Sequence, residues 1–264
     1  MSGSIEPKIL VRSVTRSYRT SGDAERVAVD DLTFDVADGE FVSLLGPSGC
    51  GKSTMLRILA GLIDPSAGRV TLRHDDPSRP LCATVFQDYS LFPWRSVRRN
   101  IAYGLEVAGL PGDERDRRVS YWIEQMGLGG FEKAKPHELS GGMRQRVALA
   151  RAMVLEPEIL LMDEPFAALD AQTRALLQEE LLRVCAHDGR TVVFVTHSID
   201  EAILLSDRIL VMTARPGRLD GEFPVPFDHP RGADLRTHAS FTALVEEIWS
   251  RLRPAVEITS GVRT

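Results

Sequence analysis

Short apolar runs that end in glycine or polar residues recur along the chain. The clearest are Phe41–Leu45, Ile159–Met162 and Thr191–Thr196. Runs of this length and composition are typical of parallel strands that are buried on both faces. After the first run, apolar residues recur every three to four positions from Met55 to Leu62, which predicts a helix. The order of strand, turn and helix predicts an α/β fold with a mainly parallel sheet.

The rest of the chain shows other patterns. Residues 88–138 have helical periods and Gly-Leu breaks without a buried strand, which predicts a helical insert at about 88–140. Arg208–Met212 reads as a last strand, and prolines interrupt the following segment. A stripe at helical spacing then predicts a helix that packs on the body: Phe241, Leu244, Val245, Ile248, Trp249 and Leu252. We therefore predict a main domain over residues 1–220 and an extension over 221–264.

A glycine-rich turn joins the first strand to its helix. It consists of Gly46, Pro47, Ser48, Gly49, Cys50, Gly51, Lys52, Ser53 and Thr54. Its spacing matches the phosphate-binding pattern G-x-x-x-x-G-K-S/T, and the flanking strand and helix argue against a chance glycine-rich turn. Backbone N–H groups would bind phosphate oxygens, Lys52 would neutralise the β- and γ-phosphates, and Ser53 would ligate Mg²⁺. The chain is predicted to bind a nucleoside triphosphate.

Composition limits the partners. The 264 residues allow one sizeable core with a subdomain. A formal net charge of −5 argues against non-specific nucleic-acid binding. The sequence has no apolar run of about 18 residues, so it predicts no membrane span. Three irregularly spaced cysteines suit a reducing compartment. For Cys50, the helix start and Lys52 favour a reactive thiolate, and the alternative is a small residue that fills the loop.

A second glycine turn opens a helix that runs to Met153. It contains Ser140, Gly141 and Gly142 and is, on its own, an ordinary helix cap with anion-binding donors. Downstream of a phosphate loop, the segment Leu139–Arg146 resembles the signature motif of ATP-binding cassette (ABC) proteins. The resemblance implies a P-loop NTPase core with a mainly parallel sheet flanked by helices, an N-terminal antiparallel β subdomain and a helical insert. It also implies ATP hydrolysis, with ATP and Mg²⁺ as cofactors.

Further residues of the chain resemble the catalytic motifs of that family. Asp163 resembles the Walker B carboxylate that holds Mg²⁺, and Glu164 is the predicted general base. A solvated turn is the alternative for paired acids, but it does not need four apolar residues before it. His197 resembles the switch histidine that contacts the γ-phosphate, although lone histidines are more often structural. Gln87 resembles the Q-loop glutamine, which reaches both metal and water.

Three more residues complete the predicted nucleotide contacts. Asp170 resembles the D-loop aspartate, and Gln145 lies within the signature segment. Tyr18 resembles the aromatic residue that stacks on adenine, and an ordinary edge-strand tyrosine is an equally open reading. Phosphoryl transfer also needs charge compensation on the far side of the γ-phosphate, a task that suits the second glycine turn. The sequence leaves open whether that turn acts within one chain, and the resemblance implies a head-to-tail homodimer that sandwiches ATP.

The resemblance also implies partners. The family receives a permease subunit at the segment corresponding to Gln87–Arg95, whose aromatic residues serve either the local core or an interaction patch. Phe92-Pro93-Trp94, followed by Asn100-Ile101, resembles the bacterial nitrate, sulfonate and taurine importer branch. This predicts an inner-membrane permease, an extracytoplasmic solute-binding protein and a peripheral location at the cytoplasmic face. A soluble ABC ATPase acting on DNA or ribosomes, or an exporter, is the alternative.

Overall fold

The computed structural model describes residues 6–19, 25–229 and 231–260. Strands and helices alternate from α4 to β8. The chain forms two compact units, the first from residues 1–74 and 181–264 and the second from residues 75–180. The first unit contains β1 (Ile9–Arg19), β2 (Glu25–Val36), β3 (Phe41–Leu45), α1 (Lys52–Leu59), β4 (Ala67–Leu72), β7 (Thr191–Thr196), α6 (Ile199–Leu205), β8 (Arg208–Met212), β9 (Leu219–Pro224) and α7 (Ala239–Ser260). The second contains β5 (Cys82–Val85), α2 (Val97–Val107), α3 (Gly112–Gln125), α4 (Gly141–Met153) and β6 (Ile159–Asp163), and α5 (Ala171–Asp188) runs from the second unit into the first.

The first unit has two kinds of sheet. Strand β1 pairs antiparallel with β2 on one side and with β4 on the other. Strand β3 lies between β7 and β8 and is parallel to both, while β9 adds antiparallel to β8. Every residue of β3 and β7 is buried. Burial on both faces explains why these strands are continuous apolar runs in the sequence.

The second unit is mainly helical. Its short strands β5 and β6 pair in parallel. Helices α2, α3 and α4 pack against one another, and α4 also packs against β5. The buried faces of α2 and α3 carry residues such as Ile101, Leu105, Val119 and Ile123.

Comparison with the sequence analysis shows one missed strand at the carboxyl side. Strands β3, β7 and β8 have the predicted bounds. However, β8 is not the last strand, because β9 follows it and ends at Pro224. The prolines were read as breakers, yet β9 is an edge strand, where a proline removes no ladder hydrogen bond to a further strand. Strand β5 ends at Val85, so Gln87 lies two residues beyond it.

The stripe on α7 is only partly as predicted. Phe241, Leu244, Ile248 and Leu252 are buried, and α7 packs on α6, β8 and β9. Trp249 is instead 45% exposed, which contradicts its predicted core position. It follows Ile248 by one residue, a rotation of about 100° that carries it to the edge of the apolar face. Within the described residues, no helix combines the length and the apolar character needed to cross a bilayer.

A buried arginine holds the segment that leads into α7. Arg231 is 6% exposed and donates to the carbonyl oxygens of Ile203 (2.9 Å) and Ser206 (2.6 Å) at the end of α6, and to that of Phe227. Its guanidinium also lies 3.9 Å from the Asp207 carboxylate, to which His229 approaches at 3.1 Å. A cation near the last carbonyls of a helix complements the helix dipole.

Replacing this guanidinium tests its contribution. We expect Arg231→Met to lower the free energy of unfolding by about 2–4 kcal/mol, because buried carbonyls lose charged donors and the Asp207 carboxylate loses a neighbouring cation. Thermal unfolding followed by circular dichroism should show a fall of roughly 5–10 °C. The control is Arg253→Ala, which removes an exposed pair with Glu257 on α7 and should cost at most about 0.5 kcal/mol. Equal effects of both changes would contradict the role of Arg231.

Candidate functional site

The phosphate loop joins β3 to α1 in the first unit. Helix α1 begins at Lys52, and Gly51 at its N-cap has φ 102°. Among the described residues, no side chain caps this helix start. The first N–H groups of a helix need acceptors, and together with the helix dipole they form an anion site. The local geometry therefore fits a phosphate group.

Two glycines of the phosphate loop, Gly51 and Gly49, lie in different surroundings. A Cβ on Gly51 would lie 2.7 Å from the Ala28 carbonyl oxygen and 2.7 Å from a Val29 methyl group. The position of a Cβ on Gly49, at φ +77°, has no other atom within 4 Å. Gly51 thus allows the loop to pack against β2, whereas Gly49 is constrained by its left-handed φ and not by its neighbours. Cys50 is fully buried, which favours the reading of a small residue that fills the loop over that of an accessible thiolate.

Lys52 bridges the phosphate loop from the inside. It is 4% exposed, and its Nζ donates to the carbonyl oxygens of Gly46 at 2.8 Å and Pro47 at 3.1 Å. These contacts hold the ammonium group beside the loop backbone that would surround a phosphate. A buried cation needs polar partners, and phosphate oxygens are stronger partners than carbonyls.

His197 leaves the same sheet edge as the phosphate loop. Leu45 of β3 is level with Thr196 of the parallel strand β7, so the residues that follow both strands emerge at one carboxyl edge. The Thr196 hydroxyl donates to Glu201 at 2.7 Å, and Ser198 caps α6 by accepting from the Glu201 N–H. These bonds fix the turn around the exposed His197. The pattern Ser198-x-x-Glu201 is a capping-box signal that could have predicted this support.

Tyr18 lies on β1 opposite Arg26 of β2 and is 37% exposed. The Arg16 guanidinium carbon lies 4.9 Å from the centre of its ring, a cation–π contact that orients the ring. Arg16 also donates to the Asp64 carbonyl at 2.9 Å. The exposed, oriented ring is compatible with adenine stacking. The supporting arginine was not identified from the sequence.

In the second unit, Gln87, Asp163 and Glu164 share an edge. Val85 of β5 is level with Met162 of β6. Asp163 ends β6, and Gln87 and Glu164 follow the ends of β5 and β6. Asp163 is buried, Glu164 is half-buried and Gln87 is exposed. Carboxylate, amide and hydroxyl oxygens are the ligands that Mg²⁺ prefers, so Asp163, Gln87 and Ser53 suit this ion in their chemistry.

Glu164 has a strained backbone. Its φ is 44°, in the left-handed region, although it is not glycine. Such conformations cost about 1–3 kcal/mol and concentrate at functional sites. A turn closed by the Ala167 N–H and the Glu164 carbonyl, at 3.2 Å, holds this conformation. The sequence identified the residue but carried no signal for its backbone conformation.

The signature turn caps α4. The Ser140 hydroxyl accepts the Met143 N–H at 3.2 Å, and a Cβ on Gly142 would lie 2.6 Å from Thr173, which explains the glycine. Gln145, three residues further along α4, is fully buried, and neither atom of its amide has a hydrogen-bond partner among the described residues. This burial gives no support to the predicted nucleotide contact of Gln145, which stays a prediction. An internal water is the usual partner of such a group.

Asp170 has a structural role that the sequence did not reveal. Its carboxylate accepts the N–H groups of Thr173 at 3.0 Å and Gln172 at 3.1 Å at the start of α5. The backbone and side-chain hydrogen bonds from Thr173 lower the pKa of Asp170 below its ordinary value. Asp170 is therefore ionised at neutral pH and caps a helix.

Together these features define a P-loop nucleoside triphosphatase. The first unit gathers the phosphate loop and His197, and the second unit gathers Gln87, Asp163 and Glu164. The signature turn lies at the start of α4. Comparison with known proteins narrows this class to one family.

Residues 29–167 match the family described as ABC transporter. The "Uncharacterized ABC transporter ATP-binding protein MJ0412" of Methanocaldococcus jannaschii is 46% identical over 94% of this chain and 92% of its own length. The bicarbonate transport ATP-binding protein CmpC of Synechococcus elongatus is 44% identical over 91% of this chain and 37% of its own length. The nitrate import ATP-binding protein NrtC of the same species is 44% identical over 84% of this chain and 35% of its own length.

A solved structure of an ATP-binding cassette also resembles this chain. The ATP-binding cassette MJ0796, a dimer in a post-hydrolysis state bound to ADP and Pi, superposes with a TM-score of 0.74. It is 33% identical and covers 83% of this chain and 100% of its own. The chain belongs to the ABC transporter family and is an ATP-hydrolysing cassette of that family. The predicted fold class and the predicted ATPase activity are confirmed.

The packing of Gly51 makes a testable prediction. Gly51→Ala places a Cβ against the Ala28 carbonyl in a left-handed residue, so the loop must shift. We expect ATP affinity, measured by titration calorimetry, to fall at least about tenfold, with a stability loss of about 1–3 kcal/mol. Gly61→Ala is the control, because its φ is +67° but no atom lies within 4 Å of the added Cβ. That variant should lose about 1 kcal/mol of stability and keep its affinity. Unchanged affinity in Gly51→Ala would contradict the assignment.

Proposed function

We propose that this chain is the ATP-hydrolysing subunit that drives import of a small anion, such as sulfonate, taurine or nitrate, through a separate permease of the bacterial inner membrane. The observation that carries the proposal is an exposed aromatic patch in the segment that follows the turn after Gln87, formed by Phe92, Trp94, Arg95 and Tyr103. Trp94 is 71% exposed. An exposed tryptophan held in a fixed cluster is typical of a protein interface.

The aromatic patch is ordered by its own contacts. The ring of Phe92 lies 4.6 Å from that of Tyr103 and 5.7 Å from that of Trp94. Arg95 lies 4.8 Å from the Tyr103 ring centre and forms an ion pair with Glu106 at 2.7 Å. A preformed surface binds a partner with a smaller entropic cost. The patch is therefore suited to receive a permease segment.

The proposed hydrolysis uses residues at the carboxyl ends of the parallel strands. Glu164 acts as general base and orients the attacking water, and His197 contacts the γ-phosphate. Lys52 and the backbone of Gly46–Thr54 stabilise the phosphate charge. Ser53, Asp163 and Gln87 would hold Mg²⁺, which would neutralise phosphate charge when bound. Tyr18 stacks on adenine.

The proposed active assembly is a head-to-tail homodimer. The turn Ser140-Gly141-Gly142 of one copy completes the γ-phosphate site of the other, near Asp170. The uncharged turn offers backbone N–H groups at the start of α4, which suit an anion. The dimeric MJ0796 cassette with ADP and Pi supports this assembly. ATP binding would close the dimer and hydrolysis would open it, so the permease alternates its access.

Import is favoured over the alternatives by the relatives. CmpC and NrtC are named for bicarbonate transport and nitrate import, and both solutes are small oxyanions. The net charge of −5 gives no support to an action on DNA or ribosomes. An extracytoplasmic solute-binding protein would select the solute, and the chain would sit peripherally at the cytoplasmic membrane face.

Glu164 provides the test of the hydrolytic mechanism. Glu164→Gln keeps the side-chain shape but removes the base, so we expect turnover to fall at least about a hundredfold while ATP still binds. Size-exclusion chromatography with ATP and Mg²⁺ should then show a stable dimer. The control is Glu179→Gln, an exposed residue of α5, which should keep normal turnover. Substantial hydrolysis by Glu164→Gln would remove Glu164 from the role of base.

Recovery of a permease tests the biological role. A tagged chain would be captured from gently solubilised native membranes and its partners identified by mass spectrometry. We expect a multi-span permease with the unmodified chain, and about tenfold less of it with Trp94→Ala, because a central tryptophan contributes strongly to an interface. Trp249→Ala removes another exposed tryptophan, on α7, and should not reduce recovery. Capture of ribosomal or DNA-associated proteins alone would overturn the transport role and leave the ATPase activity unaffected.

A further inference from the structure

The turn between Gln87 and the aromatic patch has an unusual backbone. Tyr89 and Ser90 are consecutive non-glycine residues with φ values of 54° and 46°. L-residues avoid this left-handed region, and two in succession persist only when surrounding contacts hold them. The turn is closed locally by the Tyr89 N–H, which donates to the Phe86 carbonyl at 3.1 Å. Such a turn needs an external support.

Arg151 provides this support from the helix that begins at the signature turn. It lies near the end of α4, and its Nη1 and Nη2 donate to the carbonyl oxygens of Ser90 at 2.7 Å and Tyr89 at 2.9 Å. Its guanidinium carbon lies 5.8 Å from the centre of the Phe92 ring. A planar guanidinium binds two adjacent carbonyls in one geometry, which a lysine does not reproduce. Burial lowers the pKa of Arg151 from its ordinary value.

The far end of the same loop is held by a different residue. Asn100 is fully buried, accepts the Phe92 N–H at 2.8 Å and donates to the carbonyl oxygens of Phe92, Arg95 and Ser96. Asn100 belongs to α2, so its hydrogen bonds connect the loop to that helix and not directly to α4. Arg151 contacts the loop at its beginning, next to Gln87. It joins the strained turn to the signature helix.

We propose that Arg151 is a positioning residue that ties the strained Tyr89-Ser90 turn to α4, so that the signature helix and the aromatic patch move as one body. A displacement of α4 is then passed to Phe92 and Trp94 through two charged hydrogen bonds to the loop backbone. The importance of this tie for transport rests on the function proposed above. The tie itself can be tested on the purified chain alone.

Hydrogen exchange followed by mass spectrometry gives the direct test. We expect Arg151→Gln to speed amide exchange in peptides covering residues 88–95 by about tenfold, since the turn loses its support, with little change in β6. Arg151→Lys should behave like Arg151→Gln, because it keeps the charge but loses the paired geometry. Faster exchange confined to residues 88–95 would distinguish a positioning role of Arg151 from a general loss of stability.

Arg146→Gln is the matched control. Arg146 lies on the same helix and also donates to a backbone carbonyl, that of Met126 at 3.3 Å. We expect faster exchange near Met126 and unchanged exchange at residues 88–95 in this variant. If Arg146→Gln and Arg151→Gln had the same exchange pattern, the proposal would be wrong.

A second change relieves the strain that Arg151 supports. Glycine adopts positive φ without a steric cost, so Ser90→Gly should restore slow exchange at least in part when combined with Arg151→Gln. Absence of any rescue would contradict the role of Arg151 in holding the left-handed turn. Unchanged exchange at residues 88–95 in Arg151→Gln would overturn the proposal outright.

The membrane capture described above separates the two proposals. If the unmodified chain recovers a permease, Arg151→Gln should recover about tenfold less, and the double variant with Ser90→Gly should recover more than the single one. Full recovery of the permease by Arg151→Gln would show that the hydrogen bonds from Arg151 do not contribute to the permease contact. If the unmodified chain recovers no permease, the transport role fails, and the exchange experiment still decides on the tie.

Discussion

Burial of the parallel strands on both faces is the constraint on which the rest of the structure depends. All residues of β3 and β7 are buried, so polar chemistry can begin only where these strands end. Their register makes Leu45 level with Thr196, which brings the phosphate loop and His197 to one edge. The pairing of β5 with β6 does the same for Gln87, Asp163 and Glu164. Burial of the apolar strands thus decides at which edge the polar and charged residues emerge.

Helix starts show how the fold uses the same donors in two ways. Ser140, Asp170 and Ser198 each accept N–H groups at the start of the helix that follows them. In the described structure, α1 begins at Lys52, and its N-cap Gly51 provides no side-chain cap. Where a side chain accepts these N–H groups the helix end is stabilised locally, and a helix start without a side-chain cap suits a phosphate.

Some of the strained backbone positions lie beside the chemistry. Glu164, Tyr89 and Ser90 have positive φ without being glycine, and each is next to a predicted functional segment. The cost of such backbones is offset by nearby contacts, which include the turn closed by Ala167 and the hydrogen bonds from Arg151. No pattern in the sequence predicted these conformations, because glycine or asparagine is the usual signal for them.

The sequence by itself determined the family and the bounds of β3, β7 and β8, because phosphate binding requires particular residues at a fixed spacing along a strand, a turn and a helix. The roles of the site residues are predictions from the same spacing. Periodicity also located α7, since a buried helical face must repeat every three to four residues. Only the tertiary structure decided that Gln145 is buried, that Trp249 leaves the core and that β9 continues the sheet beyond its prolines. It also revealed Arg151 and Asn100 as supports of one loop. These facts depend on contacts between residues far apart in the chain, which neither local propensity nor spacing can specify.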